Sequence, residues 1–159
     1  MNDNGINKAR VSLGAMICLV SYFIICLIIK AFGDLNPLSK SVKGDNLVFI
    51  QGDLQQKEIV EKIKAEGPFD LVVCDAAPLT TGNRVVDTAR STGLVKMAIW
   101  YAQTMLKSGG NFAVKIFQNG DQQALLKAMR EVFTNAKGFK PQACRSESFE
   151  TYLIGLGKK

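Results

Sequence analysis

The chain has 159 residues, 47% of them hydrophobic and 21% charged, a length suited to one domain and a composition that excludes a disordered chain. Its formal net charge of +6 points to a polyanionic partner, either nucleic acid or an anionic membrane surface. It contains no histidine, which excludes Ser-His-Asp and Cys-His mechanisms, argues against a zinc site, and leaves Lys, Asp, Glu or Tyr as any general base.

The first segment is the most apolar. "VSLGAMICLVSYFIICLII", Val11–Ile29, carries no charge and lies between Lys8 and Arg10 on one side and Lys30 on the other. Its length and hydropathy fit a short transmembrane helix or an uncleaved signal anchor. A buried strand followed by a helix fits the same residues equally. A strand over Ile28–Phe32 would then deliver Asp34, in "AFGDLNPL".

From Leu47 onward strand and helix patterns alternate. "NLVFIQGDL" predicts a strand over Leu47–Gln51 that ends in Gly52-Asp53, and "QQKEIVEKIKAEG" a short helix with Glu58 and Lys62 at i, i+4 and Gly67 beyond its end. The apolar run Leu71–Cys74 predicts a buried strand that stops at Asp75. From about Val85 to Lys107, Val95, Ala98, Ile99, Ala102, Met105 and Leu106 recur at helical spacing, and Gly109-Gly110 is expected to stop that helix.

"NFAVKIF", Asn111–Phe117, is the next strand. Asp121 is placed as the N-cap of a helix carrying Leu125, Ala128, Val132 and Phe133 and ended by Gly138. "PQACRS" and "TYLIGLG" read as two final strands, the last of them antiparallel. Repeated β-α-β units imply an α/β fold with a mainly parallel sheet and helices on both faces. Cys18, Cys26, Cys74 and Cys144 form no C-x-x-C pair and read as reduced packing residues of a cytosolic protein.

Several strands end in acids. Asp34, Asp53 and Asp75 each follow an apolar strand, which directs them to the C-terminal rim where open α/β sheets place ligands. A turn cap is the alternative for Asp75, and a turn before Asn36-Pro37 the alternative for Asp34. A carboxylate beyond a second strand can accept both hydroxyl hydrogen bonds of a nucleoside ribose. Lys115 lies inside a strand, where alternation sets it opposite Ala113 and Phe117 or among apolar neighbours. A buried lysine must be paired or used: carboxylates would keep it charged, and desolvation would favour its neutral, basic form. An edge lysine that snorkels into solvent is the alternative. Glu150, at the start of the last strand, could reach the same rim.

These motifs resemble the FtsJ/RrmJ (RlmE) type of ribosomal RNA 2′-O-ribose methyltransferase. "VVCDAAPLTTGN" is similar to that family's strand-four aspartate block, "GGNFAVKIFQNG" to its lysine strand, and "KPQACRSESFETYLIGLG" to its C-terminal segment. "FIQGDL" and "DLNPL" match its blocks after strands three and two. The resemblance runs from about residue 31 to 159 in the family's order. It implies a Rossmann-like methyltransferase sheet, mostly parallel with an antiparallel final strand and incomplete at the N-terminus, with 30–159 as the methyltransferase domain and 1–29 as an atypical segment.

The resemblance further implies S-adenosyl-L-methionine as cofactor and a Lys-Asp-Lys-Glu tetrad. Asp75, Lys115 and Glu150 take its second, third and fourth places, with Lys115 as the base acting on a ribose 2′-hydroxyl. Asp34 matches the ribose ligand of the cofactor, Asp53 the acid near its adenine, and Asp75 also lies beside its methionine end. The partner implied is ribosomal RNA or the large ribosomal subunit, with a uridine as target, in a cytoplasmic monomer that needs no metal.

The departures lie before Lys30. The family's "DLGAAPGGWSQ" corresponds here only to "SLGAMICLVSY", in which Leu13-Gly14-Ala15 remains and Met16-Ile17-Cys18-Leu19 replaces Pro-Gly-Gly-Trp. Gly14 is therefore the one cofactor-loop glycine carried over, and branched side chains after it would fill cofactor space. Lys8 stands too close to Gly14 to be the first tetrad lysine, which has no equivalent. A frameshifted or degraded start is the expected origin of residues 1–29, ahead of a membrane anchor. Three functions follow: an RNA methyltransferase, an inactive remnant that still holds RNA or a partner, and a membrane-anchored binding domain. Arg84, Arg90, Lys137, Lys140 and Arg145 are candidate phosphate contacts for the first; ordinary solvated charges are the alternative for most of them, and only Arg84 and Arg145 lie in motif loops.

Overall fold

Alternation along one strand divides the molecule. Val72 and Cys74 enter a large core shared with the helices, whereas Val73 faces a second, smaller cluster on the other side of the sheet. The computed structural model describes residues 47–141 and 148–159, together with the backbone of 24–25 and 31–34. Gly14, Lys8, most of Val11–Ile29, Arg145 and nearly all of "PQACRS" lie outside the described residues, as do Cys18, Cys26 and Cys144.

In chain order the elements are β1 (Ile24–Ile25), β2 (Ala31–Asp34), β3 (Val48–Gln51), α1 (Lys57–Ala65), β4 (Phe69–Cys74) and α2 (Arg84–Met105), then β5 (Leu106–Phe117), α3 (Gln122–Val132), β6 (Phe133–Phe139) and β7 (Glu150–Lys158). The strands form one seven-stranded sheet in the order β3-β2-β1-β4-β5-β7-β6. β2 with β3, and β4 with β5, pair in parallel. β7 runs antiparallel to both β5 and β6, as expected of the last strand. β1 also runs antiparallel to both of its neighbours, β2 and β4. The four strands β2 to β5 therefore share one direction, and their C-terminal ends form one rim.

Three sequence expectations are corrected. The second helix ends at Met105, not at the glycine pair, and the chain passes directly into β5 at Leu106. Gly109 and Gly110 sit inside that strand, where the β4–β5 register shifts between Phe69 and Leu71. Gly109 has φ of 78°, and a Cβ on Gly110 would stand 2.9 Å from the Lys107 carbonyl oxygen and 3.1 Å from that of Asp70. The glycines thus serve a bulge with close backbone approach.

The third helix ends at Val132, and Phe133–Phe139 is a strand rather than its continuation. Phe133 is fully buried and its ring stacks on Phe112 at 5.7 Å, so sheet packing overrides the helical spacing read at that residue. Asp121 stands at the N-cap position without capping: its carboxylate accepts from Asn119 Nδ2 at 3.3 Å and Thr92 Oγ1 at 3.4 Å.

Each of the three described helices sends apolar residues into one core, although Val85, Val86 and Trp100 of α2 stay exposed. Ile59 and Ile63 of α1, Val95, Ala98, Ile99, Ala102 and Met105 of α2, and Leu125, Leu126 and Met129 of α3 join Phe112, Val114, Ile116 and Leu153 in one core. Each fully buried large side chain contributes about 1.5–3 kcal/mol. The opposite cluster holds Ala113, Tyr152 and Ile154 with Val73 against them, all from strands among the described residues. That face carries the lysine.

Candidate active site

Lys115 shares its face of β5 with Ala113 and Phe117, since side chains two apart on a strand point the same way. Its position is among apolar neighbours, not opposite them. Cys74 pairs with Val114, so the next residue along β4, Asp75, arrives beside Lys115. Tyr152 of β7 is Lys115's direct partner on the other side, and Glu150 pairs with Phe117 one step nearer the rim. Three adjacent strands therefore deliver four polar side chains to one place.

Lys115 Nζ lies 3.2 Å from Asp75 Oδ1, and both side chains are 6% exposed. Tyr152 donates its hydroxyl hydrogen to the same Asp75 oxygen at 2.9 Å. The other oxygen, Asp75 Oδ2, is buried and has no hydrogen-bond partner among the described residues. Burial pushes the Asp75 carboxyl above the ordinary aspartate range; the Lys115 charge and the Tyr152 hydrogen bond pull it down, and Glu150 adds to the rise. Glu150 is half-buried, and its backbone N–H donates to Ser148 Oγ at 3.2 Å. Beneath them, burial pushes the Cys74 thiol up to about 11, which removes it as a thiolate nucleophile.

The loop after Asp75 is held from α2. Asp87 accepts from Thr81 N at 2.8 Å and Thr81 Oγ1 at 2.9 Å. These Thr81 bonds, the backbone one first, hold the Asp87 carboxyl below its usual range. Asn83 caps the helix, accepting from Val85 N at 3.0 Å and Val86 N at 3.3 Å. At the end of β5, the Phe117 N–H donates to Ser91 Oγ at 3.0 Å, tying the lysine strand to α2.

The other expected acids share the rim but not the cluster. Asp34 is the last residue of β2 and pairs in register with Gln51 of β3. Asp53 follows β3, where its Oδ1 accepts from Gln55 N at 2.9 Å in a local turn. β3 and β4 are separated by β2 and β1, about 14 Å at the usual strand spacing. Tyr152 was not singled out from the sequence, although its place two residues after Glu150 already set both on one face. Among the described residues no group of His, Cys, Asp and Glu could hold a metal ion, and no helix is long and apolar enough to cross a membrane.

Residues 32–158 match the family model described as FtsJ-like methyltransferase. A protein of Treponema denticola named ribosomal RNA large subunit methyltransferase E is 60% identical over 126 residues, which are 79% of this chain and 63% of that protein. One of the same name from Oleidesulfovibrio alaskensis is 44% identical over 123 residues, covering 76% of this chain and 59% of the relative. The chain thus spans less than two thirds of the length of these curated relatives. A crystal structure named for a ribosomal RNA methyltransferase from Plasmodium falciparum shares the fold, with a TM-score of 0.68 at 19% identity over 82% of this chain and 72% of that one.

Proposed function

We propose, from the premise that this chain belongs to the FtsJ-like methyltransferase family, that it transfers a methyl group to a ribose 2′-hydroxyl of large-subunit ribosomal RNA. The observation that carries this reading is the buried Lys115–Asp75 pair at the C-terminal rim, with Asp75 Oδ2 unpartnered among the described residues. A buried carboxylate oxygen without a partner calls for a donor or a cation. The described residues fit S-adenosylmethionine in that respect, because its methionine end carries an ammonium group. Asp75 would take that end, Asp34 the ribose hydroxyls and Asp53 the adenine side, across the width of the rim. When bound, the cofactor supplies an electrophilic methyl group.

The chain's own part is proton handling. Lys115 Nζ first releases a proton to solvent to become the neutral amine, then receives the proton of the 2′-hydroxyl, with Asp75 holding the nitrogen in place and Glu150 facing it from β7. General-base assistance of this kind is worth about 10²–10⁴-fold. The target is a uridine of the large subunit, the methyltransferase unit is 30–159, and the protein acts as a cytoplasmic monomer. Incubation with radiolabelled cofactor and large ribosomal subunits is expected to give label in an alkali-resistant dinucleotide. Label confined to base or protein would sink the reading.

A second reading has its own observation. β1 runs antiparallel between β2 and β4, so its C-terminal end points away from the rim that carries Asp75. That favours a protein that holds RNA without binding the cofactor. Calorimetry separates the two: heat on titrating S-adenosylmethionine supports transfer, and a flat titrant at millimolar concentration supports the second.

A further inference from the structure

A cleft of about 520 Å³, within the range of ligand-binding clefts, opens beside the lysine site. It is lined by Thr80, Gly82, Arg84, Gln118, Lys140 and Phe149, among others. Its walls are the loop after Asp75, the residue after β5 and the residues before Glu150. The Gln118 N–H donates to the Phe149 carbonyl at 2.7 Å, which closes the floor one residue past the Phe117–Glu150 pair.

Both cations of the cleft are positioned by uncharged groups. The Arg84 guanidinium lies 6.0 Å above the Phe149 ring, and that ring is braced edge-on by Phe117 at 4.6 Å. Lys140 Nζ donates to the Ser148 carbonyl at 3.0 Å. Among the described residues neither forms an ion pair with a carboxylate. Asp87, the acid of the cleft, has its Oδ1 committed to Thr81. Two cations without an ion pair among the described residues outnumber the one lining carboxylate, Asp87; the excess positive charge suits an anion, and the Phe149 ring holds Arg84 toward it.

We infer that this cleft seats a phosphodiester of the RNA strand next to the target ribose, with Arg84 and Lys140 as its ligands and Phe149 as the residue that positions Arg84. The inference rests on the methyltransferase reading for the identity of the strand, and on the cleft alone for its charge. Backbone contacts of this kind fix register and carry no sequence information.

The test is fluorescence anisotropy of a labelled, unpaired oligoribonucleotide at several salt concentrations, with methyl transfer measured in parallel. Arg84→Ala and Lys140→Ala are each expected to weaken binding about tenfold, the worth of one hydrogen bond to a charged group. Each should also lower the salt slope by about 0.7. Phe149→Leu is expected to weaken binding about threefold through the lost cation–π contact, and the surface variant Lys127→Ala to leave it unchanged. Unchanged affinity and slope in both cation variants would overturn the inference even if transfer is intact. Wild-type binding with the stated slopes but no transfer would uphold the cleft and remove the methyltransferase reading, while no binding by the wild type would overturn the cleft as well.

Discussion

Tyr152 and Lys115 face each other across the β5–β7 ladder and meet on the same atom, Asp75 Oδ1, the phenol at 2.9 Å and the ammonium at 3.2 Å. Two donors on one oxygen leave the second without a partner among the described residues and fix the direction in which it points. The carboxylate is thereby a positioned acceptor, and the lysine a positioned cation, before any ligand arrives.

Lys115→Met should separate chemistry from architecture. Removing one partner of a buried pair leaves the other charge uncompensated, at a cost of about 3–5 kcal/mol. Methyl transfer to ribosomal subunits is expected to fall by about 10²–10⁴-fold. The double variant Lys115→Met/Asp75→Asn should recover much of the stability and none of the transfer. Chemical denaturation and a methyl-transfer assay read the two effects, and full transfer by the single variant would remove Lys115 as the base.

The pH dependence of stability carries the signature of Asp75. Its carboxyl is raised above 3.8 in the folded state, with burial as the largest cause. Between 3.8 and that raised value the unfolded chain has lost this proton and the folded chain keeps it. The folded state binds more protons there, so this group's contribution to stability is present below 3.8 and is lost as pH rises through the window. Urea denaturation of wild type and Asp75→Asn from about pH 3.5 to 7 should therefore show the wild type losing ground to the variant as pH rises. Parallel curves would mean that Asp75 is not desolvated in this way.

What the sequence disclosed follows from where side-chain type and position agree. Taken singly, Asp75 also reads as a turn cap, Lys115 as an edge lysine and Glu150 as unremarkable; the resemblance of their three motifs, in one order, groups them. Asp34 ends β2 and Asp53 follows β3, the positions that strand-end logic assigns them. The failures share one cause, which is packing between distant segments. Phe133 continues a helical spacing, yet it turns into a strand because Phe112 and Gly155 offer it a slot. Tyr152 looks like an ordinary strand aromatic until Asp75 is brought to its hydroxyl. The direction of β1 depends on pairing with β2 and β4, and no local pattern in Ile24–Ile25 encodes it.

The slot for Phe133 gives a prediction of its own. A Cβ on Gly155 would lie 2.6–2.8 Å from three carbons of the Phe133 ring, and that ring is fully buried against Phe112. Gly155→Ala should destabilise the protein by about 1–3 kcal/mol, the usual cost of overpacking. Adding Phe133→Leu should return part of that loss by giving the new methyl room. A Gly155→Ala variant with an unchanged urea midpoint would contradict this account of the β6–β7 contact.

Ser91 offers the most direct test of how α2 positions the lysine. Its hydroxyl oxygen is the acceptor for the buried Phe117 N–H, two residues along the strand from Lys115. Ser91→Ala removes that acceptor without removing the donor, and a buried N–H left alone costs about 1–3 kcal/mol. The end of β5 is then free to shift against α2, and a displacement of about 1 Å at a reacting group can cost about 10²-fold in rate. The expected outcome is a fall in kcat accompanied by a smaller rise in KM for RNA, because Phe117 braces Phe149 and Gln118 lines the cleft while Arg84 and Lys140 themselves are unchanged. Ser91→Thr, which restores a hydroxyl, should recover both stability and kcat in part. If Ser91→Ala lowers stability and leaves kcat unchanged, the hydrogen bond holds the sheet to the helix and does not set the position of Lys115.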